Sequence, residues 1–182
     1  MLIISMSLQG VAGLDIQSGY KFPFSLWVPE INKTRGAVLP AFYGHMFSAE
    51  FIGSHPNVQV ANIDLHSPHL SAYASYEDGA LSRIAVVNLN LWIRKTDPPR
   101  PSEKITLSVG GDTKIIKVKK LTSIQGGSAQ APNITWGGMQ WTYENDGKAV
   151  SVLNDTQVLP VHRGIVDIQV KSSEAVMIFL QK

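Results

Sequence analysis

Between Leu70 and Ile93 the chain reads LSAYASYEDGALSRIAVVNLNLWI, and this stretch limits the possible folds more than any other. Two runs of β-formers flank Glu77-Asp78-Gly79-Ala80. An Asp-Gly pair between such runs is a strong hairpin signal, because glycine supplies the positive φ that a tight reversal requires. The incoming run alternates: Leu70, Ala72, Ala74 and Tyr76 share one face, and Ser71, Tyr73, Ser75 and Glu77 share the other. In the outgoing run Ile84 and Val86 point one way while Ala85, Val87, Leu89, Leu91 and Ile93 point the other. A strand apolar on both faces needs cover on both, so the hairpin belongs in the middle of the molecule.

The rest of the chain supplies short strands and turns. Val58 to Leu65 (VQVANIDL) precedes the hairpin, and Asp97-Pro98-Pro99-Arg100-Pro101 interrupts the chain after it. Lys104 to Val109 and Thr113 to Leu121 read as a second hairpin around Gly110-Gly111-Asp112. MQWTYE and AVSVLN read as a third around Asn145-Asp146-Gly147-Lys148, and IVDIQV and AVMIFL close the chain around Lys171-Ser172-Ser173-Glu174. About eight strands at such spacing predict an all-β fold, an antiparallel sandwich or barrel. One helix precedes it, Pro40 to Ile52, with proline at the first helical position and Gly53 and Pro56 as the stop. Its apolar residues form two stripes, Phe42, Met46, Ala49, Ile52 and Tyr43, Phe47, Phe51, so it expects cover on more than one side. Met1 to Ile16 reads as a short apolar strand and Tyr20 to Pro29 as an aromatic loop. The division this suggests is residues 1–56 as an N-terminal strand, loop and helix, and residues 57–182 as the sandwich.

Composition narrows the function classes. Charged residues are 16% of the 182 and hydrophobic residues 44%, a globular balance. Net charge is +2, and the Lys114, Lys117, Lys119, Lys120 row reads as the solvated face of an edge strand, with no nucleic-acid partner implied. Cysteine is absent, which excludes disulfides and thiolate chemistry. No run approaches the roughly 18 apolar residues of a membrane span. The apolar start lacks a basic segment, so it is not read as a signal peptide. Sequons at Asn32, Asn133 and Asn154 permit secretion without requiring it.

Chemistry-bearing patterns are sparse. Asp64-Leu65-His66-Ser67-Pro68-His69 holds three N/O donors, but the string is unspecific, and a polar strand end entering a proline turn explains it; no metal or cofactor is assigned. No G-x-S-x-G elbow occurs, and no catalytic residue is assigned. The acidic residues Glu77, Asp78, Asp112, Glu144, Asp146 and Glu174 fall in turns, where carboxylates are solvated and ionised. Aromatics are the stronger binding feature. Tyr20, Phe22, Phe24 and Trp27 crowd one loop, and Trp136 and Trp141 flank Gly137-Gly138-Met139-Gln140. Flat aromatic faces suit sugars and apolar rings.

The order of these pieces resembles a known family. The aromatic loop, PAFYGHMFSAEFIG, the central hairpin, ITWGGMQW and SSEAVMIFL are similar to the C-terminal β-domain of fungal glycoside hydrolase family 79, the β-glucuronidase group. The similarity runs from Tyr20 to Leu180 and includes the last helix of that family's barrel. Its most specific parts are Asn88-Leu89-Asn90, Ile134-Thr135-Trp136-Gly137 and Ser173-Glu174-Ala175-Val176. The resemblance implies a secreted parent enzyme whose (β/α)₈ barrel carries two catalytic glutamates, and a β-domain that packs beside the barrel without breaking bonds. Where most members carry a histidine-bearing strand end before the aromatic loop, this chain reads Leu14-Asp15-Ile16-Gln17.

These observations lead to one expectation and two rivals. The expectation is a non-catalytic packing module without glycosidase chemistry, which associates as a homo-oligomer or with a partner chain through an exposed helix and aromatic loop. The first rival is a recruited standalone enzyme or small-molecule binder, with Tyr20, Phe24, Trp27, Tyr43 and Phe47 lining an apolar pocket suited to isomerisation or cyclisation. The second is a carbohydrate-binding module, which requires an exposed aromatic platform.

Overall fold

The computed structural model describes residues 25–33, 35–95 and 99–181. The Met1–Ile16 strand reading, Tyr20 and Phe24 lie outside them. In chain order the elements are β1 (Trp27–Val28), β2 (Ala37–Val38), α1 (Pro40–Ile52), β3 (Val58–Ile63), β4 (Leu70–Glu77), β5 (Ala80–Asn88), β6 (Ser102–Ser108), β7 (Ile115–Ser123), β8 (Ile134–Trp136), β9 (Met139–Gln140), β10 (Val150–Ser151), β11 (Thr156–Pro160), β12 (Ile165–Lys171) and β13 (Glu174–Gln181).

Among the described residues, nine strands form one antiparallel sheet in the order β10-β9-β8-β7-β13-β5-β4-β3, with β11 paired to β7 beside β8. The β4–β5 hairpin forms as read. Glu77 pairs with Ala80, and Asp78 and Gly79 both take positive φ, 49° and 77°. Beneath this sheet lies the β6–β12 pair, and α1 lies on the opposite face. Alternation along the strands sorts the core into two layers. Ile84 and Val86 of β5, Ile116 and Val118 of β7, and Val176 and Ile178 of β13 meet Ile105, Leu107, Val166, Ile168 and Val170 of the two-stranded sheet. Ala85, Ala175, Met177 and Trp136 face the other way, onto Tyr43, Phe47 and Phe51 of α1. The strand read as apolar on both faces is covered on both.

The helix matches its expected bounds. Gly53 ends it at φ 73°, with its N–H on the Ala49 carbonyl at 2.8 Å. The cation its last turn lacks comes from β5: Arg83 donates to the Phe51 carbonyl at 3.3 Å and pairs with Glu77. A positive group there complements the helix dipole. The Arg83 guanidinium also holds the Glu77 carboxyl below its ordinary range.

Two pairings differ from the sequence reading. Lys104–Val109 does not pair with Thr113–Leu121: β6 pairs with β12, Leu107 opposite Val166, and β7 pairs with β13. Likewise β12 and β13 part company at Ser172-Ser173 and join different sheets. Turn residues announce a reversal but not which layer the next strand enters, and in a sandwich a tight turn serves as well for a crossing as for a hairpin. The third hairpin survives only as two-residue strands, with Val150 opposite Gln140, because Tyr143–Asn145 winds into a 3₁₀ turn. The lysine row is not an edge either. β7 has neighbours on both sides, and the Lys119 side chain is only 19% exposed.

Met177 is fully buried between β5, β7 and α1. Met177→Ala is expected to lower unfolding free energy by about 2–5 kcal/mol, read as a lower urea midpoint at unchanged m-value. Ile124→Ala, at a side chain 65% exposed, should stay within about 0.5 kcal/mol.

Candidate functional site

Among the described residues, polar and aromatic side chains concentrate in three places. The first is the contact between α1 and the sheet. Tyr43 is held at both ends of one residue: its hydroxyl donates to the Trp141 carbonyl at 3.0 Å and accepts from the Trp141 N–H at 3.0 Å. The ring packs edge-on against Trp141 with centroids 5.8 Å apart, and Phe47 does the same against Trp136 at 5.1 Å. Burial raises the Tyr43 phenol above its ordinary range. One turn further on, Glu50 accepts from Lys119 Nζ at 2.6 and 2.8 Å and from Trp136 Nε1 at 2.6 Å. Lys119 also lies over the Trp136 ring, 4.9 Å from its centroid. A partly buried ion pair whose acceptor also takes an indole N–H has its hydrogen-bonding capacity used, the condition under which such a pair holds elements together.

The second is a polar row on the face turned toward β6–β12. Asn88 of β5 lies opposite Glu174 of β13, Glu174 accepts from the Thr122 hydroxyl of β7 at 2.7 Å, and Thr122 lies opposite Thr135 of β8. Glu174 is 4% exposed, and its other oxygen accepts from the Lys171 N–H at 3.2 Å. Its placement corrects the expectation of a solvated turn carboxylate. The signal was present: Glu174 precedes Val176 and Ile178 at period two, on their inward face. Asn88 ties β5 to its neighbours, donating to the Val170 carbonyl at 3.1 Å and accepting from the Asn90 N–H at 3.0 Å. Above the row Arg100 donates to the carbonyls of Ser172, Ser123 and Ser173 at 2.8, 2.9 and 3.1 Å and stacks on Trp92. Burial lowers its affinity for its proton. Asp155, beside this group, has its carboxyl raised, mainly by burial, with Lys120 opposing and Glu174 adding to the rise.

The third is a groove of about 490 Å³ lined by Trp27, Val38, Phe42, Tyr143, Asp146 and Gly147. Trp27 is 53% and Tyr143 38% exposed. Gly36 permits the Tyr143 ring to lie against the β1–β2 connection, since a Cβ there would run into it. The Arg35–Glu144 ion pair, 2.7 Å, ties the same connection to the Tyr143 turn.

The residues proposed from sequence for an apolar pocket are therefore dispersed. Trp27 walls the groove, Tyr43 and Phe47 are core side chains at most 2% exposed, and Tyr20 and Phe24 lie outside the described residues. Phe42 and Tyr143, which the sequence reading left out of the pocket, stand beside Trp27. In Asp64-x-His66-x-x-His69 only Asp64 and His66 meet, at 3.0 Å on the surface, and no metal-binding group of three occurs among the described residues. No described helix is long and apolar enough to cross a membrane.

A family model described as "Glycosyl hydrolase family 79 C-terminal beta domain" matches residues 72–177. A β-glucuronidase of Aspergillus niger is 27% identical over 188 residues, covering 94% of this chain and 34% of that protein. A β-glucuronidase of Neurospora crassa is 26% identical over 170 residues, covering 76% and 30%. The chain thus spans about a third of the length of these relatives. Among solved structures, a 4-O-α-L-rhamnosyl-β-D-glucuronidase from Fusarium oxysporum 12S aligns with a TM-score of 0.63 at 20% identity, covering 77% of this chain and 29% of that one. An arabinofuranosidase aligns at 0.51 and 17%, covering 86% and 31%. At these identities the structural likeness establishes the fold.

Two outcomes are expected here. Tyr43→Phe keeps the ring but strands the Trp141 N–H and C=O, so it should cost about 1–3 kcal/mol in chemical denaturation. For Asp155 the folded carboxyl takes its proton at a higher pH than the unfolded one, so the residue weakens folding as pH rises through that window. Asp155→Asn should therefore raise Tm at pH 7, with the gain shrinking as pH falls into the ordinary carboxylate range.

Proposed function

Because the chain belongs to the family of glycosyl hydrolase family 79 C-terminal beta domains, we propose that it serves as a non-catalytic β-sandwich module whose role is packing. What supports this is the use made of Glu174, Glu50 and Glu77. Retaining glycoside hydrolysis requires two carboxyl groups about 5–5.5 Å apart that both reach the sugar. Glu174 is enclosed and accepts hydrogen bonds at both oxygens, Glu50 is spent on Lys119 and Trp136, and Glu77 on Arg83 and Ser82. These groups fasten elements to one another, and none of them is free to attack or protonate a substrate. The partner would seat on the outer side of α1, where Phe42, Met46 and Ile52 are only partly buried. A second copy of the chain or a separate catalytic chain would fit that side equally.

A second reading, ligand binding, is favoured by one observation: the 490 Å³ groove with two half-exposed aromatic walls. Its volume falls in the range of small-molecule sites, roughly 300–1,000 Å³.

The packing reading predicts that the full chain releases no nitrophenol from 4-nitrophenyl β-glucuronide. Turnover that disappears in Glu174→Gln or Asp155→Asn would overturn it.

A further inference from the structure

The geometry points to the groove between the β1–β2 connection, the start of α1 and the Tyr143 turn as a binding site for a neutral, hydroxyl-rich ring, a pyranose unit of a saccharide. This rests on the ligand-binding reading above and goes beyond it by naming the ligand class and the residues that recognise it.

A pyranose presents an apolar C–H face and a rim of hydroxyls, and a site for it needs an aromatic wall with a polar group at the edge. Trp27, Phe42 and Tyr143 supply the wall. Trp27 and Tyr143 keep large parts of their surface open, unlike Trp92, Trp136 and Trp141, each of which is at most 8% exposed. Asp146 stands at the rim as acceptor, its backbone held at φ 53° where it ends the 3₁₀ turn, and Gly147 follows it.

Charge decides between a neutral ring and an ion. Glu144 is matched by Arg35 at 2.7 Å, and Asp146 faces Lys148 at 3.9 Å, so the rim carries no unbalanced charge to draw a cation or an anion. The wall is also positioned rather than incidental. Gly36 leaves room for the Tyr143 ring, and the Arg35–Glu144 pair anchors the turn that carries it. Gly36 is thus a positioning residue that acts through Tyr143.

The experiment is affinity electrophoresis of the full chain in native gels cast with neutral polysaccharides (galactomannan, xyloglucan, mixed-linkage β-glucan). A polygalacturonate gel and a choline titration of tryptophan fluorescence run beside it. Retardation is expected in at least one neutral gel, abolished by Trp27→Ala and weakened about tenfold by Tyr143→Ala, the loss of one stacking wall. Gly36→Ala should weaken it while keeping every aromatic ring, with an unchanged far-UV spectrum. Leu91→Ala, at an exposed side chain outside the groove lining, should leave it intact. No retardation in any neutral gel, or equal retardation of Trp27→Ala, overturns the site. Retardation confined to polygalacturonate, or a response to choline alone, overturns the neutral-ring assignment. The packing reading is tested separately by glucuronide hydrolysis, so either can fail without the other.

Discussion

Adjacent strands β5 and β13 carry apolar side chains on both faces, and the remainder of the molecule is arranged to keep both faces from water. Val86, Val176 and Ile178 on one side and Ala85 and Met177 on the other are at most 3% exposed. Burying a side chain of this size stabilises by roughly 1.5–3 kcal/mol. A sheet covered on one face alone would forfeit half of that. The β6–β12 pair and α1 are the two covers, and neither is stable by itself: a lone strand pair and an isolated 13-residue helix are both marginal in water. Each layer therefore depends on the sheet between them.

Once the sheet is covered on both sides, its polar groups must find partners inside. Lys119 sits on the helix-facing side of β7 because Ile116 and Val118 take the other side, and Glu50 meets it there. Glu174 shares the inward face of Val176 and is satisfied by Thr122 and the Lys171 N–H. Arg100 uses three backbone carbonyls of two turns to close the same end of the sandwich. These groups specify which strand lies beside which, because a shift of one residue would move each to the wrong face. At Glu50 and Glu174 the charge is therefore used to hold one element against another.

The groove owes its existence to a different constraint. β1 and β2 are two-residue strands, and the Tyr143 turn ends a strand after two residues. Their connections meet beside the start of α1 without filling the space between them. Aromatic rings that face this unfilled space, Trp27 and Tyr143, stay open to solvent, while Trp141, two positions before Tyr143, is sealed in the core.

The hairpin at Asp78-Gly79, the helix at Pro40–Ile52 and the two-faced strand were legible in the residues, because each rests on local rules: positive φ at a turn, proline and glycine as boundaries, periodicity of two. So was the family resemblance, carried by the order of short motifs along nearly the whole chain. What the sequence could not settle was partnership. The GGD and KSSE turns look like hairpin loops but carry the chain between layers, and only assembly of the sheets reveals that β6 lies beside β12. Nor does composition separate Tyr43 and Phe47, locked against Trp141 and Trp136, from Trp27 and Tyr143, which stay open to solvent. An aromatic side chain contributes the same apolar area wherever it lies, and which atoms surround it is decided by residues nearly a hundred positions away.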